Sequence, residues 1–185
     1  MRSTSLALTV AAVTVFMSNV FATPAAASAM PLPVERASQP EWKLPKKCKN
    51  KQAKILYKAG FNKPGMLRGA WAITWRESNH NALDESSPWY TGALGTWQIQ
   101  TSAWSGRPWW SRSAMLDKYA QSKIVRKYFL RNGMHNWGYG YSFKKDTWYE
   151  DAGMYYSLWG SSTTYAWVIK PFNDAWAAFP KACRD

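Results

Sequence analysis

The 185-residue chain is poor in the residues that bind metals and build redox centres, with two cysteines and two histidines. Only His80 and His135 could join Cys48 and Cys183, and no metal-ligand spacing connects them. No metal site and no cofactor are therefore expected. A Gly-x-Ser-x-Gly elbow is absent, which removes the usual sign of a serine hydrolase. Acids are scarce as well: 11 Asp and Glu stand against 24 Lys and Arg, for a formal charge of +13. After the N-terminus no segment is apolar enough to cross a bilayer, and no internal repeat is visible. A nucleic-acid motif is also lacking, although Lys and Arg among many aromatics would suit a single strand.

What is present begins with a leader. Residues 1–29 read as a secretory signal peptide, with Arg2 as the positive start and Leu6 to Ala22 as the apolar run. Ala27-Ser28-Ala29 offers the best cleavage site, and the alternative is an uncleaved anchor. Residues 30–47 carry Pro31, Pro33, Pro40 and Pro45 without helical or strand period, as an extended linker does. Residues 48–185 suit one domain. In an exported chain the even pair Cys48 and Cys183 points to a disulfide across the domain ends; in a cytosolic one both would be free thiols. Lys43, Lys46, Lys47, Lys49, Lys51 and Lys54 cluster at the domain entry. They read either as attraction to an anionic polymer, such as a cell wall, or as a solvated face. Export argues against a nucleic-acid partner.

The domain reads as mainly α. Cys48 to Ala59 forms a helix stopped by Gly60, and a second runs from Pro64 to about Ser78. Thr96 to Gln100 alternates as a short strand. Ser113 to Arg131 reads as a long helix with Leu116, Ala120, Ile124, Tyr128 and Arg131 on one stripe, stopped by Gly133. Glu150 to Trp159 and Pro171 to Phe179 are further helices.

The stretch that stands out is Ala70 to Gln100, because of Glu77. Ile73, Ala70 and Met66 lie four, seven and eleven residues before it, so Glu77 shares the apolar face of its helix. It also sits in the last turn, where the helix dipole disfavours an anion. Burial and dipole both favour the protonated carboxyl, and such a group can serve as a general acid. With Arg76 beside it, the plainer reading is a surface ion pair.

Glu77-Ser78, Asn81-Ala82, Ser87-Pro88 and then Gly92-Ala93-Leu94-Gly95-Thr96-Trp97-Gln98-Ile99-Gln100 resemble the catalytic core of soluble lytic transglycosylases, relatives of goose-type lysozymes. The detailed match covers about thirty residues. Thr96-Trp97 replaces the family's apolar pair, and the loop before Gly92 is a few residues longer. The resemblance implies a lysozyme-like fold, a helical domain with a small β element beside a cleft. It implies cleavage of peptidoglycan between N-acetylmuramic acid and N-acetylglucosamine, with Glu77 as the single catalytic carboxyl. Ser78, Ser86 or Ser87, and Gln98 would hydrogen-bond the acid or the acetamido groups. Gly92 and Gly95 would let backbone approach the sugar. The family's later Tyr stretch is absent; Tyr139 and Tyr141 in Trp137-Gly138-Tyr139-Gly140-Tyr141 are the candidates for it. Gln100 is left unassigned.

Thirteen Trp residues supply stiff apolar faces for stacking on sugars. Trp89, Tyr90, Trp97, Trp104, Trp109 and Trp110 follow the Glu-Ser pair closely. Trp97 and the pair Trp109-Trp110 read as groove lining or as core, whereas Trp71, Trp75, Trp167 and Trp176 read as core. After Glu77 the next acids are Asp84 and Glu85, then none until Asp117. This fits a reaction needing one carboxyl. The rivals are a hydrolase in which Asp84 or Glu85 orients a water, and a wall-binding protein without catalysis. The expected partners are glycan strands and anionic wall polymers, met outside the cell by a monomer.

Overall fold

Helix α2, Pro64–Ser78, is buried along most of its length and carries Glu77 in its last turn. The computed structural model describes residues 41–83, 92–130 and 137–184. The expected signal peptide and the linker up to Pro40 lie outside them, as do Asp84, Glu85, Ser86, Ser87, Trp89, Tyr90, Arg131, Gly133 and His135. Among the described residues no helix is long and apolar enough to cross a membrane.

In order, the elements are α1 (Lys51–Lys58), α2, β1 (Ala93–Leu94), β2 (Ile99–Gln100), α3 (Thr101–Trp104), α4 (Arg112–Leu116) and α5 (Lys118–Ile124). A π-helical segment, Val125–Phe129, continues α5. Then come β3 (Tyr139–Ser142), β4 (Thr147–Glu150), α6 (Gly153–Trp159) and α7 (Ser161–Thr164). A second π segment, Tyr165–Ile169, leads into α8 (Lys170–Ala178), and a 3-10 turn closes at Lys181–Cys183. The architecture is mainly α with two antiparallel hairpins, β1–β2 and β3–β4.

α2 is buried nearly all round. Met66, Leu67, Ala70, Ala72 and Ile73 are fully enclosed, and Trp71 almost so. Each large side chain buried this way contributes about 1.5–3 kcal/mol relative to exposure. α8, α1 and β4 pack against the helix. Its start has no cap from Lys63; the Asp146 carboxylate in the β3–β4 turn accepts from Gly65 N and Met66 N, both at 3.0 Å. A carboxylate at that end also answers the positive pole of the helix dipole. Gly69 lets the hairpin seat closely, since a Cβ there would fall 2.0 Å from the Trp148 indole nitrogen. At the other end Asn79 turns left-handed (φ 51°), and the N–H groups of Asn79 and His80 close on the Trp75 and Thr74 carbonyls. The helix therefore stops right after Glu77-Ser78.

Cys48 and Cys183 are disulfide-bonded, with Cα atoms 4.6 Å apart. The bridge ties the segment before α1 to the last 3-10 turn. Trp42 and Leu44 already pack against the core, so the folded body takes in residues ahead of Cys48.

The expected helix 113–131 is divided. Asp117 is extended (ψ 115°), and its carboxylate caps α5 by accepting from Ala120 N at 2.6 Å. The break resets the helical phase, so the buried face carries Met115, Gln121, Ser122, Val125 and Phe129 instead of the anticipated stripe. Glu150 ends a strand, and the helix expected from there begins at Gly153. Hairpin β3–β4, with Tyr139 opposite Glu150 and Ser142 opposite Thr147, was not anticipated.

Candidate active site

Glu77 opens into a cleft of about 630 Å3. One wall is the end of α2, with Arg76 and Glu77. Facing it is hairpin β1–β2, which contributes Ala93, Gln98 and Gln100. Tyr155 and Trp159 of α6, Thr163 of α7, Trp167 and Val168 of the second π segment, and Trp137 complete the lining. Among the described residues of the cleft, Glu77 is the one carboxylate.

The hairpin is held from three sides. Ala93 pairs with Gln100 and Leu94 with Ile99. Gln121 of α5, fully buried, donates to Leu94 O at 2.8 Å and accepts from Trp97 N at 3.0 Å. Trp137 Nε1 donates to Trp97 O at 2.9 Å. From α2, the Ser78 hydroxyl lies 2.9 Å from Thr96 O. A buried amide that satisfies both backbone polarities fixes the turn firmly, because leaving either group unpaired is costly.

Glu77 meets a cation as well as the expected apolar surroundings. Arg76 Nε donates to Glu77 Oε1 at 3.0 Å, and a second guanidinium nitrogen donates to the same oxygen. The arginine is itself buried, with 6% of its side chain exposed against 22% for the glutamate. Its third nitrogen reaches Val168 O at 3.4 Å. The ion pair that the plainer reading offered is therefore formed. Oε1 is committed to Arg76. Among the described residues Oε2 has no hydrogen bond.

The anticipated site residues divide sharply. Gln98 is in the cleft, in a left-handed conformation (φ 49°) with its amide nitrogen 2.7 Å from Gly95 O. Gln100, left unassigned from sequence, is there too. Ser78 is not a ligand-facing hydroxyl: it is buried against Thr74 O and Thr96 O. Trp97 is fully buried, stacked on Phe61 with its indole N–H on Ser122 Oγ at 3.0 Å, so it is core and not groove lining. At Gly95 a Cβ would fall 2.0 Å from Met115 O, so the missing side chain serves packing against α4, not approach to a sugar. Gly92 has φ 81° and accepts from Thr101 N at 2.7 Å, which starts the hairpin. Ser86 and Ser87, like Asp84 and Glu85, lie outside the described residues.

Neither anticipated tyrosine lines the Glu77 cleft. Tyr141 is buried and donates to Asp146, the residue that caps α2; burial first, then that bond, pushes its phenol well above the usual range. Tyr139 stacks on Phe172 at 3.8 Å, and burial pushes it up to about 12. Among the described residues the tyrosine in the Glu77 cleft is Tyr155. Its phenol is raised by burial first and by the Glu77 charge second, so the two groups are within electrostatic reach. No sequence signal separates Tyr155 from its neighbour Tyr156; only the placement of α6 does.

The tryptophans also rearrange. Trp71 is core and Trp176 half-buried, as expected, but Trp75 is 42% and Trp167 71% exposed. The π turn shifts the phase, placing Val168 and Ile169 inside and Trp167 on the cleft rim. Trp109 and Trp110 pack on the core and do not line the Glu77 cleft. Among the described residues no group of three His, Cys, Asp or Glu is placed to hold a metal ion. Compared with known proteins, the chain matches no family model, no curated protein and no solved structure.

Proposed function

We propose that this chain is a secreted enzyme that cleaves peptidoglycan in the manner of a lytic transglycosylase, on a lysozyme-like fold. The observation that carries the reading is the opening of Glu77, at the end of a buried helix, onto a cleft faced by the Gln98 turn. Trp137, Trp159 and Trp167 give that cleft the stiff apolar surfaces that sugar rings favour. The leader-like N-terminus and the Cys48–Cys183 bridge support export. The basic charge supports attraction to anionic wall polymers.

In this reading Glu77, protonated at Oε2, gives its proton to the oxygen between N-acetylmuramic acid and N-acetylglucosamine. The bond from that oxygen to the muramic anomeric carbon breaks, and the glucosamine leaves with a hydroxyl. The 2-acetamido group supports the cationic centre. The C6 hydroxyl of the same muramic residue then bonds to the anomeric carbon and passes its proton back to Glu77, leaving a 1,6-anhydro sugar. No water is consumed. Arg76 holds the carboxylate in place between steps and stabilises it once the proton has left. Tyr155 lines the same space and is placed to orient the sugar or the acid.

One observation favours a second reading. A glutamate bound twice by a buried arginine is also what a structural ion pair looks like, and a Trp-rich cleft can hold glycan without cutting it. Digestion of purified wall followed by mass spectrometry separates the cases. Anhydro ends, one water lighter than reducing ends, support the transglycosylase; reducing ends indicate a hydrolase; binding without release indicates a wall-binding protein.

A further inference from the structure

A second cavity, of about 400 Å3, lies between the end of α1 and the first π segment and shares no lining residue with the Glu77 cleft. Trp109, Lys123, Arg126, Lys127 and Tyr128 line it. Three basic residues therefore border one space, although Lys123 Nζ also lies 5.5 Å from the centre of the Tyr119 ring and the Arg126 guanidinium 5.5 Å from that of Phe143. Among the described residues no carboxylate lines it and none pairs with any of the three. Like charges gathered without a counter-charge repel one another, and an anionic ligand would relieve that repulsion.

The arrangement is also fixed in advance. Arg126 Nε donates to Gly60 O at 2.9 Å and the guanidinium lies 5.5 Å from the centre of the Phe143 ring, which seats it; among the described residues its terminal nitrogens have no hydrogen bond. Lys127 Nζ sits 4.9 Å from the centre of the Tyr128 ring, and Trp109 stacks on that ring at 5.4 Å. A π segment supplies Arg126, Lys127 and Tyr128, just as the other π segment supplies Trp167 and Val168 to the Glu77 cleft. Such segments bulge side chains out of regular phase and recur at binding sites.

From this we infer that the cavity is a binding site for phosphodiester groups of a polyol-phosphate polymer. Two exposed lysines and an anchored arginine suit consecutive phosphates, each answered by a point charge or by the guanidinium fork. Tyr128 has Lys127 over its ring and Trp109 stacked on it, so little ring face is left for a nucleobase. That favours a polymer without bases over a nucleic acid. The site stands apart from the Glu77 chemistry and would hold the protein on an anionic surface whether or not Glu77 cuts.

The test is equilibrium binding of fluorescently labelled poly(glycerol phosphate) to the full chain carrying Glu77→Gln, so that loss of glycan chemistry cannot affect the result. Lys123 and Lys127 are exposed, so the double variant Lys123→Gln, Lys127→Gln should fold. It is expected to bind at least about tenfold more weakly, with the slope of log K against log salt reduced by about one per lysine removed. The double variant Lys43→Gln, Lys46→Gln removes the same charge and should lose less than about threefold. Equal losses in the two variants would overturn the site in favour of net charge alone. Single-stranded DNA bound as tightly as the polymer, with the same dependence on Lys123 and Lys127, would overturn the polymer assignment in favour of a nucleic acid.

Discussion

The hydroxyl of Ser78 lies 2.9 Å from the carbonyl oxygen of Thr96, joining the end of helix α2 to the turn of hairpin β1–β2. One side of that bond is the residue after Glu77; the other lies two residues before Gln98. The bond therefore sets the distance across the cleft. Ser78→Ala would leave Thr96 O buried without this donor, at a cost of about 1–3 kcal/mol. The expected outcome in urea denaturation is a lower midpoint by that amount. On wall substrate, kcat should fall more than KM rises, because the reacting groups are displaced. An unchanged midpoint would mean that the bond contributes nothing.

His80 provides a pH dependence. Its ring packs 4.6 Å from Trp71 and 5.3 Å from Trp75, and Nδ1 lies 2.9 Å from the Thr74 hydroxyl. Burial first and the Lys118 charge second pull its pKa down to about 4. Unfolded, the imidazole titrates near the ordinary value of about 6.5. Between those values the unfolded chain binds more protons, so stability is full above about pH 6.5 and is lost as pH falls toward 4. Allowing for solvent at the partly exposed ring, the loss is about 1–2 kcal/mol. Denaturation midpoints at pH 7 and pH 4 should show it in the wild type, and His80→Gln should flatten the difference.

Replacing Cys48 and Cys183 with Ser frees a loop spanned by 135 positions. In the chain-entropy model such a loop is worth about 5 kcal/mol, and real bridges commonly deliver about 2–5. Thermal melting of the double Ser variant should show a large fall in Tm. A variant that melts with the wild type would show that the termini are held by packing alone.

The tyrosines give a crossed prediction. Tyr155→Phe should lower kcat on wall substrate by about tenfold or more while Tm stays within about a degree or two, since the residue lines the cleft. Tyr141→Phe removes the donor to Asp146 and loosens the cap of α2, so Tm should drop while kcat per folded molecule holds. Kinetics and melting on both variants decide it. The reverse pattern would return the site to Tyr141.

What the sequence made legible is local. The apolar steps from Met66 to Ile73, the proline at the start of α2 and the stop after Ser78 follow from spacing and capping, and all are found. The mainly helical class and the pairing of Cys48 with Cys183 were equally readable. The misses come from events without local periodicity. Asp117 reset a helix by capping in mid-run, and two π segments moved Trp167 outward and Phe129 inward. Hairpin β3–β4 escaped because its strands carry aromatics that suit helix or strand alike. At the candidate site, Glu77 and Gln98 of the motif line one cleft. Tyr155 was not readable, because nothing between Tyr139 and Trp159 marks which ring faces the cleft. Trp97 misled because an indole whose N–H finds a buried hydroxyl is as content in the core as in a groove.

The central claim is that Glu77 delivers and recovers a proton. Its most direct test is release of soluble fragments from purified peptidoglycan by wild type and Glu77→Gln, with circular dichroism showing that both are folded. The amide keeps the size and a hydrogen-bond acceptor for Arg76 but cannot act as acid or base. The account predicts that wild type releases anhydro-ended fragments and that Glu77→Gln is slower by about a hundredfold or more. Release by Glu77→Gln at the wild-type rate would contradict it.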